Sequence, residues 1–154
     1  MTSLDYFYKL LSRREYSVRE LTQKAQAKGF SLEEIAASIE DLQQQNYQSD
    51  ARVVESLITS YHGKYGKASI RRKCMEKGIN LDLFEEIWQS QMEEEESGAL
   101  DELKEKVRRK YKIDDFRSIE QKTRVKLWNY LQYRGFNPGE VLAQWRREED
   151  EMVE

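Results

Sequence analysis

The chain has 154 residues, 36% charged and 38% apolar, with one proline and seven glycines, a composition that suits amphipathic helices and leaves few breakers to end them. No apolar run approaches the roughly 20 residues that cross a bilayer, and Met1-Thr2-Ser3-Leu4-Asp5-Tyr6 lacks the basic start and apolar stretch of a secretory signal. The lone cysteine, Cys74, excludes an internal disulfide framework and fits the reducing cytoplasm.

The predicted elements follow in chain order. Leu4 to about Ser12 reads as a short helix rich in Tyr6, Phe7, Tyr8, Leu10 and Leu11. Ser17-Val18-Arg19-Glu20 has capping-box spacing, with a hydroxyl and a carboxylate three residues apart to satisfy the free backbone donors of a helix start. That second helix ends at Gly29, and Ser31-Leu32-Glu33-Glu34 opens a third with Ile35, Ile39 and Leu42 on one face. Asp50 begins a helix carrying Val53, Val54, Leu57, Ile58 and Tyr61 at helical spacing. Gly63 and Gly66 bracket the turn into a basic helix from about Lys67 to Lys77, and Asn80 caps the next, with Leu83, Phe84, Ile87 and Trp88. The run Glu93-Glu94-Glu95-Glu96 reads as a solvated helix end or linker. Leu100, Leu103 and Val107 line another helix, and a polar stretch from Lys112 to Ser118 separates it from one holding Val125, Leu127, Trp128 and Leu131. Asn137-Pro138-Gly139-Glu140 is the strongest start signal: a cap, a proline in the first turn and an acid at the third position. No segment alternates apolar and polar residues as a strand would, so the fold class is all-α.

One punctuation mark recurs. Lys28-Gly29-Phe30-Ser31, Lys77-Gly78-Ile79-Asn80 and Arg134-Gly135-Phe136-Asn137 each join a helix end to a newly capped helix, with glycines 49 and 57 residues apart. Eight residues before them stand Leu21, Ile70 and Leu127, and four before stand Ala25, Cys74 and Leu131. Six after stand Ile35, Phe84 and Val141, and ten after stand Ile39, Trp88 and Trp145. A period near 50 residues with a shared apolar comb is the signature of a repeat array, an architecture suited to gripping something long. Three three-helix repeats are expected, at 1–48, 49–96 and 97–154, the last ending in an acidic tail from Glu148 to Glu154.

The catalytic inventory is thin. His62 is the only histidine and reads as a surface residue in a turn, with no companion ligands for a metal. Cys74 belongs to the comb and reads as core. Gly63 and Gly66 lack the glycine–lysine–serine ending of a phosphate loop. Consecutive glutamates on a helix point in different directions and do not converge on one ion. The expectation is a protein that is not an enzyme and takes no cofactor or metal.

The net charge of −3 conceals segregation. Residues 60–80 hold Lys64, Lys67, Arg71, Arg72, Lys73 and Lys77 against Glu76 alone, a local +5. Residues 104–134 hold eleven basic side chains against four acids, a local +7, with Arg108-Arg109-Lys110, Lys122, Arg124, Lys126 and Arg134 among them. A ligand feels the local field rather than the total, so such bands suit a phosphate backbone. Tyrosines 61, 65, 111, 130 and 133 are interleaved and offer stacking faces for unpaired bases. The competing reading is that these are solvated faces of amphipathic helices, with the tyrosines at the core rim.

Taken in order, several segments resemble the RecX family, bacterial modulators of the RecA recombinase. They are Leu10-Leu11-Ser12-Arg13-Arg14-Glu15-Tyr16-Ser17, Glu20-Leu21, Lys28-Gly29-Phe30, Asn46-Tyr47-Gln48-Ser49-Asp50 and Tyr65-Gly66. Further on come Ile70, Lys77-Gly78-Ile79, Lys126-Leu127 and Tyr130-Leu131-Gln132-Tyr133-Arg134-Gly135-Phe136. No single piece is specific, but their order and spacing span nearly the whole chain. Two positions depart from the family pattern: Ser49 stands where another acid or asparagine is usual, and Tyr133 where a second arginine often precedes the glycine. The resemblance implies three tandem three-helix repeats in an elongated, curved array. It also implies binding to RecA and its filament on single-stranded DNA, with hindered ATP hydrolysis, strand exchange and repressor self-cleavage. The residues expected to dock are Lys67, Arg71, Arg72, Lys73 and Lys77 of the middle repeat, with Lys64, Arg13, Arg14 and the third-repeat cluster in support. The protein is expected to act as a monomer, without a membrane. A stand-alone DNA-binding protein built from helix-turn-helix-like units is the alternative, although no helix reads as carrying a clear set of asparagine, glutamine and arginine. A helical scaffold for peptides is a third possibility.

Overall fold

The structure, a computed structural model, describes residues 1–93 and 100–153. Those residues form nine α-helices and one 3-10 turn: α1 (Ser3–Leu11), α2 (Val18–Ala27), α3 (Leu32–Gln44), α4 (Asp50–Tyr61), α5 (Lys67–Glu76), α6 (Leu81–Glu93), α7 (Asp101–Tyr111), the 3-10 turn Phe116–Ser118, α8 (Gln121–Tyr133) and α9 (Pro138–Val153). No named strand occurs among the described residues, in agreement with the all-α expectation. None of these helices is long and apolar enough to cross a membrane. The run from Glu93 to Glu96 lies outside the residues whose side chains are described.

The chain divides into two compact units, Met1–Ser60 with Arg71–Glu93, and Tyr61–Ile70 with the described part of Glu94–Glu154. The core of the first is built from Phe7, Leu10, Tyr16, Leu21, Ala25, Ile35, Ile39 and Leu42. That of the second is built from Leu103, Val107, Ile113, Phe116, Leu127, Leu131, Val141, Leu142 and Trp145.

The repeated punctuation is a repeated hydrogen-bond pattern. The N–H groups of Phe30, Ile79 and Phe136 donate to the carbonyls of Ala25, Cys74 and Leu131 at 3.1, 3.0 and 3.0 Å, and those of Gly29, Gly78 and Gly135 donate to Gln26, Met75 and Gln132 at 2.9, 3.0 and 3.0 Å. This is a Schellman closure three times over, in which the last carbonyls of a helix are satisfied by a chain that reverses through a left-handed residue. Glycine is required there: φ is +94° at Gly29, +72° at Gly78 and +87° at Gly135. The comb is equally regular. Of its twelve positions all are buried except Trp88, which is half-buried. Cys74 is among the buried ones, and burial pushes its thiol up to about 11, so it stays a protonated core residue.

Helix starts follow the sequence with one difference. Ser17 accepts from the Glu20 N–H at 3.2 Å while Glu20 Oε1 accepts from the Ser17 N–H at 3.0 Å, the complete reciprocal box. Asn80 and Asn137 accept from Asp82 at 2.8 Å and Glu140 at 3.2 Å. Ser31 accepts from the Glu34 N–H at 3.2 Å, but the return bond is absent because Glu34 turns instead to the Ser3 N–H at 3.4 Å. Ser49, the departure from the family pattern, caps α4 by accepting from the Arg52 N–H at 3.2 Å.

Four expectations need correction. The stretch from Lys112 to Ser118 is not merely polar: Ile113 and Phe116 are buried, and the Phe116 ring lies 5.0 Å from that of Trp145. Its polar neighbours hide a single-turn insertion into the core. Val125 and Trp128, grouped with Leu127 and Leu131 in the sequence, part from them in the structure: they are 52% and 41% exposed, because the buried stripe of α8 runs through Leu127 and Leu131. His62 is half-buried rather than a surface residue. The acids Glu148 to Asp150 are not a free tail but part of α9, and their partners are given below.

Helix α7 ends without glycine. Lys112 takes the left-handed conformation, φ +55°, so that the Ile113 N–H can reach the Arg108 carbonyl at 3.0 Å. A side chain there strains the backbone by roughly 1 kcal/mol. Lys112→Gly is therefore expected to hold or raise the urea midpoint, by up to about 1 kcal/mol after the added unfolded-state entropy. A loss of stability would show that Lys112 makes a contact worth more than the strain.

Candidate interaction surface

The candidate cations differ sharply in what they already hold. In the first unit Arg14 and Lys77 converge on one carboxylate: Arg14 Nη2 lies 3.0 Å and Lys77 Nζ 3.1 Å from Glu20 Oε2. The Arg14 guanidinium also lies 3.6 Å from the centroid of Tyr16. Burial acts to raise the Glu20 pKa, but the Ser17 N–H, Arg14 and Lys77 together hold its carboxyl below the usual range. The same spot carries the Ser17 hydroxyl, which donates to the Lys77 carbonyl at 2.7 Å. The start of α2 is thereby pinned to the end of α5, and Arg14 and Lys77 serve that joint. Gln48, only 2% exposed, braces it by donating to the Tyr16 carbonyl at 3.1 Å and to Asp50 at 2.9 Å.

The remaining first-unit candidates differ in exposure. Arg13 and Arg72 are exposed. Arg71 and Lys73 are half-buried, and Arg71 makes a long 3.8 Å ion pair with Glu85, a surface pair worth no more than about 1 kcal/mol.

The second unit contains a similar joint. The Gly66 N–H donates to the Arg134 carbonyl at 2.7 Å and the Ala68 N–H to that of Gly135 at 3.2 Å. The start of α5, with exposed Lys64 and Lys67 beside it, thus meets the end of α8. Arg134 donates to the Lys64 carbonyl at 3.1 Å and lies between two rings, 5.2 Å from Tyr65 and 5.1 Å from Tyr130. Lys110 sits over the other side of the same arrangement, 4.4 Å from Tyr130 and 5.5 Å from Tyr111. Burial pushes the Tyr111 phenol up, which keeps it neutral beneath these cations. Four of the five tyrosines expected as stacking platforms (61, 65, 111 and 130) therefore pack within the unit. Tyr133 alone remains largely free, 86% exposed.

The acids of α9 neutralise the inner side of α7. Glu148 pairs with Lys104 at 3.0 Å, Glu149 with Arg108 at 3.3 Å, and Asp150 with Arg117 at 2.6 Å. Glu149 also accepts the Phe116 N–H at 3.0 Å, which fixes the buried 3-10 turn. Burial acts to raise the Glu148 pKa, yet Lys104 and Gln144 hold its carboxyl below the ordinary value. Arg109 and Lys110 are left on the outside of α7. With Lys64, Lys106 and Arg134, Arg109 lines a cleft of about 610 Å³ in which Asp101, Glu102 and Glu105 cancel much of the positive field.

Helix α8 is different. Lys122, Arg124 and Lys126 are exposed, and none of their side chains has a hydrogen-bond or ion-pair partner among the described residues. Sequence reasoning missed that the same outer face carries Gln121, Asn129 and Gln132 as well as Val125 and Trp128. The signal was available: with Leu127 and Leu131 facing inward, the 100° step of a helix sends these residues out. Among the described residues no group of histidine, cysteine, aspartate and glutamate is placed to hold a metal ion.

Comparison with known proteins places this architecture. Residues 4–42 match the family model described as "RecX, first three-helix domain", which coincides with α1 to α3. The chain is 35% identical over 136 residues to the Regulatory protein RecX of Legionella pneumophila (strain Corby), covering 88% of this chain and 87% of that one. It is 37% identical over 145 residues to the Regulatory protein RecX of Haemophilus influenzae (strain PittEE), covering 91% of each. The crystal structure of RecX from Lactobacillus salivarius superposes with a TM-score of 0.74 at 17% identity, covering 94% of both chains, and shares the fold. With relatives of this similarity over almost its whole length, the chain belongs to the RecX family of regulatory proteins.

Proposed function

We propose that this protein is a non-enzymatic regulator that binds RecA and its filament on single-stranded DNA, and there mainly inhibits ATP hydrolysis, strand exchange and coprotease activity. The observation that carries the reading is kinship with regulatory RecX proteins across about nine-tenths of the chain. The exposed cations support it, because docking on a nucleoprotein filament calls for local positive charge on a protein whose net charge is −3. On this reading Arg13, Arg72 and the open edge of α5, with Lys67, Arg71 and Lys73, make the first contact with the filament. Lys64, Arg109, Lys110 and the cations of α8 support it. Arg14, Lys77, Arg108 and Arg134 shape that surface through their internal partners. The protein acts as a cytoplasmic monomer. Its helices group as three repeats at 1–48, 49–96 and 97–154, a division supported by the three identical glycine closures.

The test is RecA's single-stranded-DNA-dependent ATPase with the protein titrated in at two salt concentrations. Substoichiometric inhibition that weakens as salt rises is expected, since each phosphate contact releases a counterion. The triple variant Arg71→Glu/Arg72→Glu/Lys73→Glu is expected to need at least about tenfold more protein for equal inhibition, with an unchanged helical circular dichroism spectrum. A folded triple variant that inhibits normally would remove α5 from the docking surface, and no inhibition at equimolar wild-type protein would end the RecA reading.

A further inference from the structure

We propose that the outer face of α8 binds single-stranded nucleic acid directly, with unpaired bases stacked on Trp128 and Tyr133 and phosphates held by Lys122, Arg124 and Lys126. The inference rests on the filament reading, to which it adds the element that touches DNA.

Charge comes first. Helix α8 carries three cations and no acid, in a chain with 29 acidic residues. Several cations elsewhere are drawn inward: Lys104, Arg108 and Arg117 to α9, Arg14 and Lys77 to Glu20. Those of α8 have no such partner among the described residues, so their charge is open to a ligand.

Exposed apolar surface coincides with that field. Val125, Trp128 and Tyr133 are 52%, 41% and 86% exposed. Trp128 presents a large aromatic surface to solvent. Its ring edge rests on the start of α9, with Cη2 3.6 Å from where a side chain on Gly139 would begin, which braces the ring. Trp128 and Tyr133 lie about 7.5 Å apart along the helix axis and about 140° apart around it, so each offers its own stacking face, one on either side of Asn129 and Gln132. The exposed amides of Asn129 and Gln132 supply donors and acceptors for base edges between them. Cations that track a backbone, interleaved with aromatic faces, are the general means of holding a single strand without a fixed sequence.

The experiment measures fluorescence anisotropy of a fluorescein-labelled oligothymidylate with the full-length protein and no recombinase. Trp128→Ala and Tyr133→Ala are each expected to weaken binding about tenfold, while Trp128→Phe keeps most of it. Lys122→Gln/Arg124→Gln/Lys126→Gln is expected to lower the slope of log affinity against log salt by about 2, at roughly 0.7 per phosphate contact on a single strand. Unchanged affinity in both aromatic variants, equal competition by a duplex of the same sequence, or no binding by the wild type would overturn the proposal. The ATPase assay separates the two readings. Binding lost in Trp128→Ala with RecA untouched by the wild type would sink the filament reading alone. RecA inhibited by a wild type whose strand binding ignores Trp128 would sink this one alone.

Discussion

Trp145→Ala is expected to lower stability by about 3–5 kcal/mol, the range for emptying a large buried aromatic site. Trp145 has no exposed surface, tilts against Phe116 at a centroid distance of 5.0 Å, and closes a core shared by α7, α8, α9 and the 3-10 turn. Collapse cannot refill the hole cheaply, because Phe116 is tethered through its N–H to Glu149 and cannot slide inward. Against a total of roughly 5–15 kcal/mol for a folded protein, the loss leaves a marginal second unit. Urea unfolding followed by far-ultraviolet circular dichroism reads it, since the substitution also removes one of the three tryptophan fluorophores. A loss under about 1 kcal/mol would mean that the Phe116–Trp145 pair is not the keystone of that core.

Gly66→Ala is the second large effect, and it acts through backbone rather than core. A methyl group at Gly66 would overlap the carbonyl of Gly135 and the nitrogen of Phe136, neither of which is the yielding end of a side chain. The hydrogen bond from Gly66 to Arg134, 2.7 Å long, would have to open. A cost of about 3 kcal/mol is expected. Gly139→Ala is the control: at the start of α9 the added carbon would meet only Asn137 and Trp128, at 3.5 and 3.6 Å. Helix propensity then makes that change neutral or stabilising by up to about 1 kcal/mol. Equal midpoints for the two variants would refute the close approach at Gly66.

What was legible in the sequence was whatever depends on near neighbours. The glycine closures, the caps at Ser17, Asn80 and Asn137, and the comb from Leu21 to Trp145 all follow from spacings of about ten residues or fewer. What was hidden depends on distant partners. Nothing local tells that Lys77 will share Glu20 with Arg14 across 57 residues, or that Glu149 will reach Phe116 across 33. Those two contacts turn apparent binding cations and an apparent acidic tail into structural parts. Val125 and Trp128 were misplaced for a different reason. Apolar residues lie on both sides of α8, so periodicity alone does not choose the inner stripe, and only the packing of Leu127 and Leu131 does. The same ambiguity concealed the face that the sequence lacked when searched for asparagine, glutamine and arginine together.

The core formed by Phe7 through Leu42 draws on α1 to α3 and on Tyr16 between the first two, and this bears on synthesis at the ribosome. Every member of that cluster has been made once Leu42 clears the exit tunnel, seconds before the rest at translation rates of about 5–20 residues per second. The first three helices can therefore condense while later ones are still being added, and low sequence separation among their contacts favours rapid closure. Lys77, the late partner of Glu20 and Ser17, then meets a finished receptor rather than an unfolded chain.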